Sequence, residues 1–220
     1  MSIKEKRPVV FFDFDNTITT YDVLDDIIMR FSTSDEWKRL EVLWREHKIG
    51  SKECLEGQVK SIRVARDELD KYLSGVRIDP YFKRLVKLLN SKKIKTIILS
   101  DNFDYILKNV LKRRGLDNIR VYSNKLRMSK DTLEPQFPFT DKECMVCGHC
   151  KKNNLLANVD NNAAFIYYIG DGLSDVCPAE CADVVFAKGY LRDHFKNKGL
   201  YHIPFKELKD VYKYFQKRLK

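Results

Sequence analysis

The sequence predicts an α/β protein, a doubly wound parallel sheet with a small helical cap domain inserted near its amino-terminal end. Short apolar runs typical of buried strands alternate with amphipathic helical stretches along most of the chain. Three of those runs lead into aspartate or serine residues within one or two positions. A long stretch with helical periodicity, over residues 21–76, separates the first apolar run from the second.

The first predicted strand comprises residues 9–12, an apolar run that leads into Asp13 and Asp15. Such a run is typical of a strand buried on both faces of a parallel sheet. Because side chains alternate along a strand, both carboxylates would lie on the same side if the backbone stays extended that far. Two close carboxylates stay ionised together only with a cation between them, or else they share a proton. Hard oxygen ligands of this kind suit Mg²⁺. The alternative interpretation is a strand that simply runs into an aspartate-rich turn.

The helical stretch that follows begins near Leu24, where apolar residues recur at helical spacing. Ser34 precedes a second helix, Gly50 interrupts the pattern, and a last short helix ends at Gly75. The insertion is too long for an ordinary loop, so we predict two domains. These are a cap formed by residues 21–76 and a core formed by residues 1–20 and 77–220. The alternative is a helical layer continuous with the core.

The rest of the chain repeats the order of strand and helix. Up to residue 159 we predict a helix that begins at Asp79, a strand over 95–99, a helix over 103–114, a strand around Val121, an irregular segment over 125–150 and a helix over 151–159. After it we predict strands over 164–169 and 184–187, a helix that ends at Gly199, an edge strand over 203–205 and a final amphipathic helix.

Three predicted strands end in residues that can carry chemistry. Asp13 and Asp15 follow the first strand, Ser100 follows the second, and Asp171 and Asp175 follow the fourth. Right-handed crossovers bring the carboxyl ends of parallel strands to one edge of the sheet, where ligands bind. Each group by itself has an ordinary structural explanation as a turn or a helix cap. Together they predict a site at that edge.

Composition limits the classes of partner. The formal net charge is +10, but lysine and arginine are scattered through the whole chain, as in a solvated basic surface; attraction of an anionic ligand is the alternative. No nucleic-acid recognition motif is apparent, and no apolar stretch approaches the roughly 20 residues of a spanning helix. No secretory segment precedes the first strand. We therefore expect a cytoplasmic protein that binds neither nucleic acid nor membrane.

The cysteines suggest a second, separate hypothesis. A possible Zn²⁺ ligand set is formed by Cys144, Cys147, His149 and Cys150. These residues are crowded and no second spaced pair is present, so packing or a redox-labile loop is the favoured alternative. Cys177 and Cys181 lie four residues apart on a predicted helix and are expected in the core.

Four segments together resemble the motifs of haloacid dehalogenase-like phosphatases. They are DFDNT at residues 13–17, the strand that ends in Ser100, the lysine at 151, and GDGLSD at residues 170–175. The insertion after the first motif resembles the cap of the phosphoserine phosphatase branch. Within that branch, the cysteine-rich segment before Lys151 resembles two groups. One is the methionine-salvage phosphatase that acts on hydroxy-keto-methylthiopentenyl phosphate, and the other is the phosphoethanolamine/phosphocholine phosphatases.

This resemblance implies a Mg²⁺-dependent phosphomonoesterase that hydrolyses a small phosphorylated metabolite through an aspartyl-phosphate. Asp13 would be the nucleophile, and Asp15 the general acid and base. Mg²⁺ would be held by the Asp13 carboxylate, the Asp15 backbone carbonyl and Asp171, with Asp175 supporting it directly or through water. A phosphotransferase or phosphomutase with the same intermediate, or a non-catalytic anion-binding protein on this fold, are the alternatives.

The resemblance also implies substrate contacts. Thr17 would orient the loop after the first strand, and Ser100 and Lys151 would hold the phosphoryl oxygens, with Lys152 as the alternative lysine. Asp101 resembles the residue that faces a cationic head group in the choline and ethanolamine group, and a helix cap is its alternative role. The TTYD segment at residues 19–22 resembles the methionine-salvage group instead. Further candidates from the cap are Asp22, Phe31, Trp37 and Trp44.

Overall fold

The computed structural model describes residues 7–141, 147–160 and 163–219. Within these ranges the chain forms a seven-stranded sheet in the order β4-β3-β2-β1-β5-β6-β7. Its strands are β1 (Arg7–Phe12), β2 (Lys95–Phe103), β3 (Arg120–Ser129), β4 (Thr132–Gln136), β5 (Ala164–Gly170), β6 (Val184–Ala187) and β7 (Ile203–Pro204). Neighbouring strands are parallel except for the antiparallel pair β3 and β4. The predicted α/β fold is confirmed.

Helices occupy most of the connections between strands. They are α1 (Val23–Phe31), α2 (Glu36–Arg45), α3 (Ser51–Lys60), α4 (Arg66–Ser74), α5 (Phe82–Ser91), α6 (Asp104–Lys112), α7 (Lys151–Leu156), α8 (Val176–Ala179), α9 (Gly189–Asn197) and α10 (Leu208–Arg218). A 3₁₀ turn, Leu173–Asp175, precedes α8. Helices α1 to α4 lie in the stretch for which we predicted a cap, and its boundaries at residues 21 and 76 remain a prediction. Among the described residues, no helix is long and apolar enough to cross a membrane.

Strand β1 lies at the centre of the sheet, between β2 and β5. Val10 and Phe12 are buried in the core cluster on one face, and Val9 and Phe11 in the cluster on the other. The continuous apolar run therefore reflects burial on both faces, as predicted. The chain winds outward from β1 in both directions, so the carboxyl end of β1 is the point where an α/β sheet provides a ligand crevice.

The segment predicted to be irregular over residues 125–150 contains a β-hairpin, and this part of the prediction is wrong. Strand β3 continues to Ser129 and pairs with β4 across a turn in which Lys130 has φ +53°. The polar sequence and Pro135 hide the strand because it lies at the edge of the sheet, where proline is tolerated. Val64 donates a backbone hydrogen bond to Asp131 at 2.9 Å, so the hairpin also supports the helical insertion.

Candidate active site

Asp13 and Asp15 lie where β1 ends. The Asp13 N–H donates to the Ile169 carbonyl at 2.9 Å, so β5 holds the residue at the carboxyl edge of the sheet. The Asp15 carboxylate accepts hydrogen bonds from the Val23 N–H and the Asn102 side-chain amide, both at 2.9 Å. These bonds tie the end of β1 to α1 and to the end of β2, and they fix the orientation of Asp15.

Three carboxylates meet at this edge. Oxygen atoms of Asp13, Asp171 and Asp175 lie within 4.8 Å of one another. The Thr17 hydroxyl donates to Asp171 Oδ1 at 3.1 Å. Burial, and then the neighbouring carboxylates, raise the pKa of Asp13 well above its usual range and that of Asp171 to about 6. The donor set therefore fits a hard cation such as Mg²⁺, which would relieve this repulsion.

Lys151, at the start of α7, supplies positive charge to the cluster. Its Nζ donates to Asp13 Oδ1 at 2.6 Å and to Asp175 Oδ1 at 2.8 Å, and the residue is only 3% exposed. Burial alone would lower the pKa of Lys151, but the two carboxylates raise it well above its usual range, so the ammonium stays charged. Lys152 is exposed. The structure thus places Lys151, and not Lys152, beside Asp13.

Asp175 accepts hydrogen bonds on both carboxylate oxygens. Oδ1 accepts from Lys151 and from the Tyr168 hydroxyl, the latter at 2.7 Å. Oδ2 accepts from the backbone N–H groups of Asp171 and Gly172, both at 3.0 Å. A carboxylate offers about four lone-pair sites, so these bonds occupy the capacity of Asp175. Asp175 therefore holds the neighbouring groups in place.

The end of β2 contributes Ser100 and Asp101. Ser100 is buried, and its Oγ accepts the Asn102 N–H at 3.1 Å. The Asp101 carbonyl accepts from the Asn124 amide at 2.6 Å, and burial raises the pKa of its carboxyl to about 6. Helix α6 begins at Asp104 and has no side-chain cap, so the helix-cap alternative for Asp101 is wrong.

A cavity of about 260 Å³ opens beside these residues and is lined by both the sheet edge and the helical insertion. Of the predicted cap candidates, Asp22 and Trp44 line it. Phe31 and Trp37 pack against the hydrophobic core instead. These two aromatic side chains pack in the core, and the sequence alone does not distinguish an aromatic core residue from one that contacts substrate.

Sequence reasoning missed Asp25, Glu41 and Asn102, which also line the cavity. Asp25 lies almost one turn after Asp22, whose side chain caps α1 by accepting the Asp25 N–H at 2.9 Å. Because residues three positions apart lie on the same face of a helix, the position of Asp22 could have indicated Asp25 as a second candidate. Burial and neighbouring carboxylates raise the pKa of Asp22 to about 8 and that of Asp25 to about 7.

The raised pKa of Asp22 predicts a pH dependence of stability. The folded protein binds a proton at Asp22 more tightly than the unfolded chain does. The resulting stabilisation is fully present below the usual pKa of 3.8 and is lost as the pH rises toward about 8. Without metal, we expect wild type to lose about 1–2 kcal/mol more unfolding free energy than Asp22→Asn between roughly pH 5 and pH 8. The difference is limited to this size because neighbouring carboxylates share the protons. Urea unfolding in EDTA measures this difference. The exposed Asp35→Asn is the control, and identical pH profiles for wild type and Asp22→Asn would contradict the prediction.

The zinc hypothesis gains no support. Cys144 lies outside the described residues. Among the described residues, only the acidic cluster brings three potential metal ligands within 4.8 Å of one another. Cys147, His149 and Cys150 form no such group. Cys177 is exposed, so its predicted place in the core is wrong.

Known proteins resemble this chain along most of its length. It is 28% identical over 215 residues to 2-hydroxy-3-keto-5-methylthiopentenyl-1-phosphate phosphatase of Brevibacillus brevis, covering 96% of each chain. It is 28% identical over 212 residues to the Bifunctional enzyme MtnB/MtnX of Bacillus licheniformis, of which it spans 48%. A phosphoserine phosphatase structure, a phospho-aspartyl intermediate analogue, superposes with a TM-score of 0.71 at 19% identity, covering 96% of this chain and 99% of that one.

The chain has the haloacid dehalogenase-like fold of the phosphoserine phosphatase structures, and its family match defines the class of protein as a phosphatase. The chain belongs to the Putative Phosphatase family, whose model matches residues 8–199. The predicted resemblance to methionine-salvage phosphatase is confirmed, and so is the prediction of a phosphatase enzyme. The alternative of a non-catalytic anion-binding protein has no support from these matches.

Proposed function

We propose that this protein is a Mg²⁺-dependent phosphomonoesterase in which Asp13 attacks phosphorus and forms an aspartyl-phosphate. The observation that supports this most strongly is the meeting of Asp13, Asp171 and Lys151 at the carboxyl edge of the sheet, beside a cavity. A carboxylate can approach a phosphate dianion only when nearby positive charge offsets the repulsion. Lys151 provides one such charge, and the acidic cluster has the donors for a metal that provides the other.

The phosphate would bind between Asp13, Ser100 and Lys151. Lys151 already donates to Asp13 Oδ1, which leaves Oδ2 as the attacking oxygen. Ser100 Oγ accepts the Asn102 N–H, so its own hydrogen can point to a phosphoryl oxygen. Lys151 would contact a second phosphoryl oxygen as a point charge. Attack, and departure of the leaving group on the opposite side of phosphorus, then lie roughly in line.

The metal would be held by the carboxylates of Asp13 and Asp171 and by the Asp15 backbone carbonyl. When bound, Mg²⁺ neutralises charge on the phosphate and on the two carboxylates. Thr17 orients Asp171 through its hydroxyl. Asp175 accepts the Asp171 N–H and would support the site from behind, because its oxygens are already occupied.

Asp15 would transfer the protons. Burial raises its pKa to about 6, close to the range in which one group can both give and take a proton. It would protonate the leaving alkoxide, and then accept a proton from the water that hydrolyses the aspartyl-phosphate. Val23 and Asn102 hold it for both steps. The helical insertion, our proposed cap over residues 21–76, would exclude bulk water.

The lining of the cavity indicates the leaving group. Asp22, Asp25 and Glu41 line it from the insertion and Asp101 from the sheet, whereas Arg45 is paired with Glu41 at 2.7 Å. Burial raises the pKa of all three aspartates, so a cationic leaving group would relieve unfavourable charge. We therefore propose a phosphate ester with an amine or ammonium group. The substrate named for the methionine-salvage relatives contains no cation and is the alternative.

Removal of metal tests the proposal. We expect EDTA to abolish phosphate release from p-nitrophenyl phosphate and Mg²⁺ to restore it. Asp171→Asn should raise the Mg²⁺ concentration required by at least about 100-fold, because loss of a direct ligand exceeds loss of an outer partner. Mg²⁺ should also raise the melting temperature of wild type more than that of the variant. Full turnover in EDTA would contradict the metal assignment, and phosphate transfer to an added alcohol would favour the phosphotransferase alternative.

A pair of esters of equal size tests the leaving group. We expect kcat/KM for 2-aminoethyl phosphate to exceed that for n-propyl phosphate by about 10- to 100-fold. This factor corresponds to the free energy of one hydrogen bond between charged groups. Asp25→Asn should reduce this ratio and leave hydrolysis of the propyl ester unchanged. Equal turnover of both esters by wild type would rule out the cationic leaving group.

A further inference from the structure

His149 has no part in the proposed mechanism, yet it lies two residues before Lys151 and is only 2% exposed. It lines a second cavity of about 910 Å³ that adjoins the active-site cavity. Asp101 lines both cavities. His149 therefore packs behind a carboxylate that faces the proposed leaving-group site.

The hydrogen bonds of Asn154 determine which nitrogen of His149 carries the proton. Asn154 Nδ2 lies 3.1 Å from the Cys150 carbonyl and 2.9 Å from His149 Nε2. A carbonyl can only accept, so this atom is the amide nitrogen, and its second hydrogen is donated to Nε2. Burial lowers the pKa of His149 to about 3, so the ring is neutral. Its single proton is then on Nδ1.

The Nδ1–H group has no hydrogen-bond partner among the described residues. It faces Asp101 Oδ1 at 3.9 Å, and that oxygen is likewise buried and unpaired. The Ser100 backbone also interacts with the ring, but Nδ1 itself has no partner within the distance and angle of a hydrogen bond. An unpaired buried donor beside an unpaired buried acceptor is unfavourable, and a movement of about 1 Å would join them.

We propose that Asn154 and His149 form a relay that orients the Asp101 carboxylate, with Nδ1–H binding Oδ1 so that Oδ2 faces the cation of the leaving group. The proposal rests on the proposed function in one respect, the contact between Asp101 and the leaving group. His149 is a positioning residue, since it acts only through Asp101. Its loss should therefore weaken binding of a cationic ester without affecting attack on phosphorus.

The kinetic test uses 2-aminoethyl phosphate and n-propyl phosphate. We expect His149→Leu to raise KM for the aminoethyl ester about tenfold, the value of one such hydrogen bond, and to leave kcat and the propyl ester unchanged. His149→Asn, which keeps an N–H donor, should retain most of the preference. In an Asp101→Asn background, His149→Leu should have no further effect. Equal losses on both esters, or additive effects of the two variants, would overturn the relay.

A spectroscopic test does not depend on activity. In ¹⁵N-histidine-labelled wild type, assigned by comparison with His149→Asn, the long-range ¹H–¹⁵N pattern of His149 should show the Nδ1–H tautomer. Asp101→Asn should shift that resonance. The Nε2–H tautomer, or no shift, would refute the relay even if His149→Leu failed to fold. If wild type hydrolyses neither ester while the spectra show the expected tautomer and shift, the proposed function fails and the relay stands.

Discussion

Asp13→Asn is expected to lower phosphate release by about 10⁴-fold or more, in line with the loss of other covalent nucleophiles. An amide oxygen is a poor nucleophile and cannot form the acyl phosphate. The substitution is nearly isosteric, and the amide oxygen can still accept from Lys151, which donates to Asp13 at 2.6 Å. Because burial and neighbouring carboxylates raise the pKa of Asp13, replacing it with a neutral group should not destabilise the fold.

The measurement is kcat on p-nitrophenyl phosphate with Mg²⁺, together with mass spectrometry of acid-quenched protein. The quench should find a phosphoryl group on wild type and none on Asp13→Asn. Asp35→Asn, whose side chain is exposed, is the matched control and should behave as wild type. Substantial turnover by Asp13→Asn, with a melting temperature like that of wild type, would mean that another residue is the nucleophile.

Lys151→Met is expected to have the second largest effect, because it removes a buried cation from between two carboxylates. We expect a loss of about 10²–10³-fold in kcat, comparable with loss of a donor to a developing charge. We also expect a loss of about 3–5 kcal/mol in unfolding free energy at neutral pH, since Asp13 and Asp175 are left without their partner. Protonation relieves this repulsion, so the deficit should shrink as the pH falls.

Lys152→Met provides the control at the adjacent position, where the side chain is exposed. It should retain both activity and stability. Phosphate-release assays and urea unfolding at several pH values measure the two effects. If Lys152→Met were the inactive variant, or if the deficit of Lys151→Met grew toward low pH, the assignment of the buried cation would be wrong.

Several features of the site could be predicted because they depend on neighbouring residues in the sequence. The apolar run of β1 and the aspartates after it follow from local periodicity and burial on both faces. The ends of β2 and β5 are recognised in the same way, and chain topology then brings Ser100 and Asp171 to one edge. Asp22 caps α1 by accepting the Asp25 N–H, a role typical of an aspartate that directly precedes a helix.

Other features could not be predicted, because they arise between residues that are distant in the chain. Asn102 binds Asp15 across 87 positions, and no local pattern distinguishes it from an ordinary polar residue. Glu41 lines the cavity only because of how α2 packs. The edge strand β4 is stabilised by pairing with β3, which overrides its weak local preference for strand.

The sequence by itself determined the α/β order of elements and the strand ends that carry Asp13, Ser100 and Asp171, because strand and helix periodicity is a local property. Only the tertiary structure decided that Lys151 lies between two carboxylates 138 and 24 positions away, and that acidic side chains of the insertion line the cavity beside them. The reason is physical: burial and the distance between charges set the chemistry of these groups, and both exist only once the chain has folded.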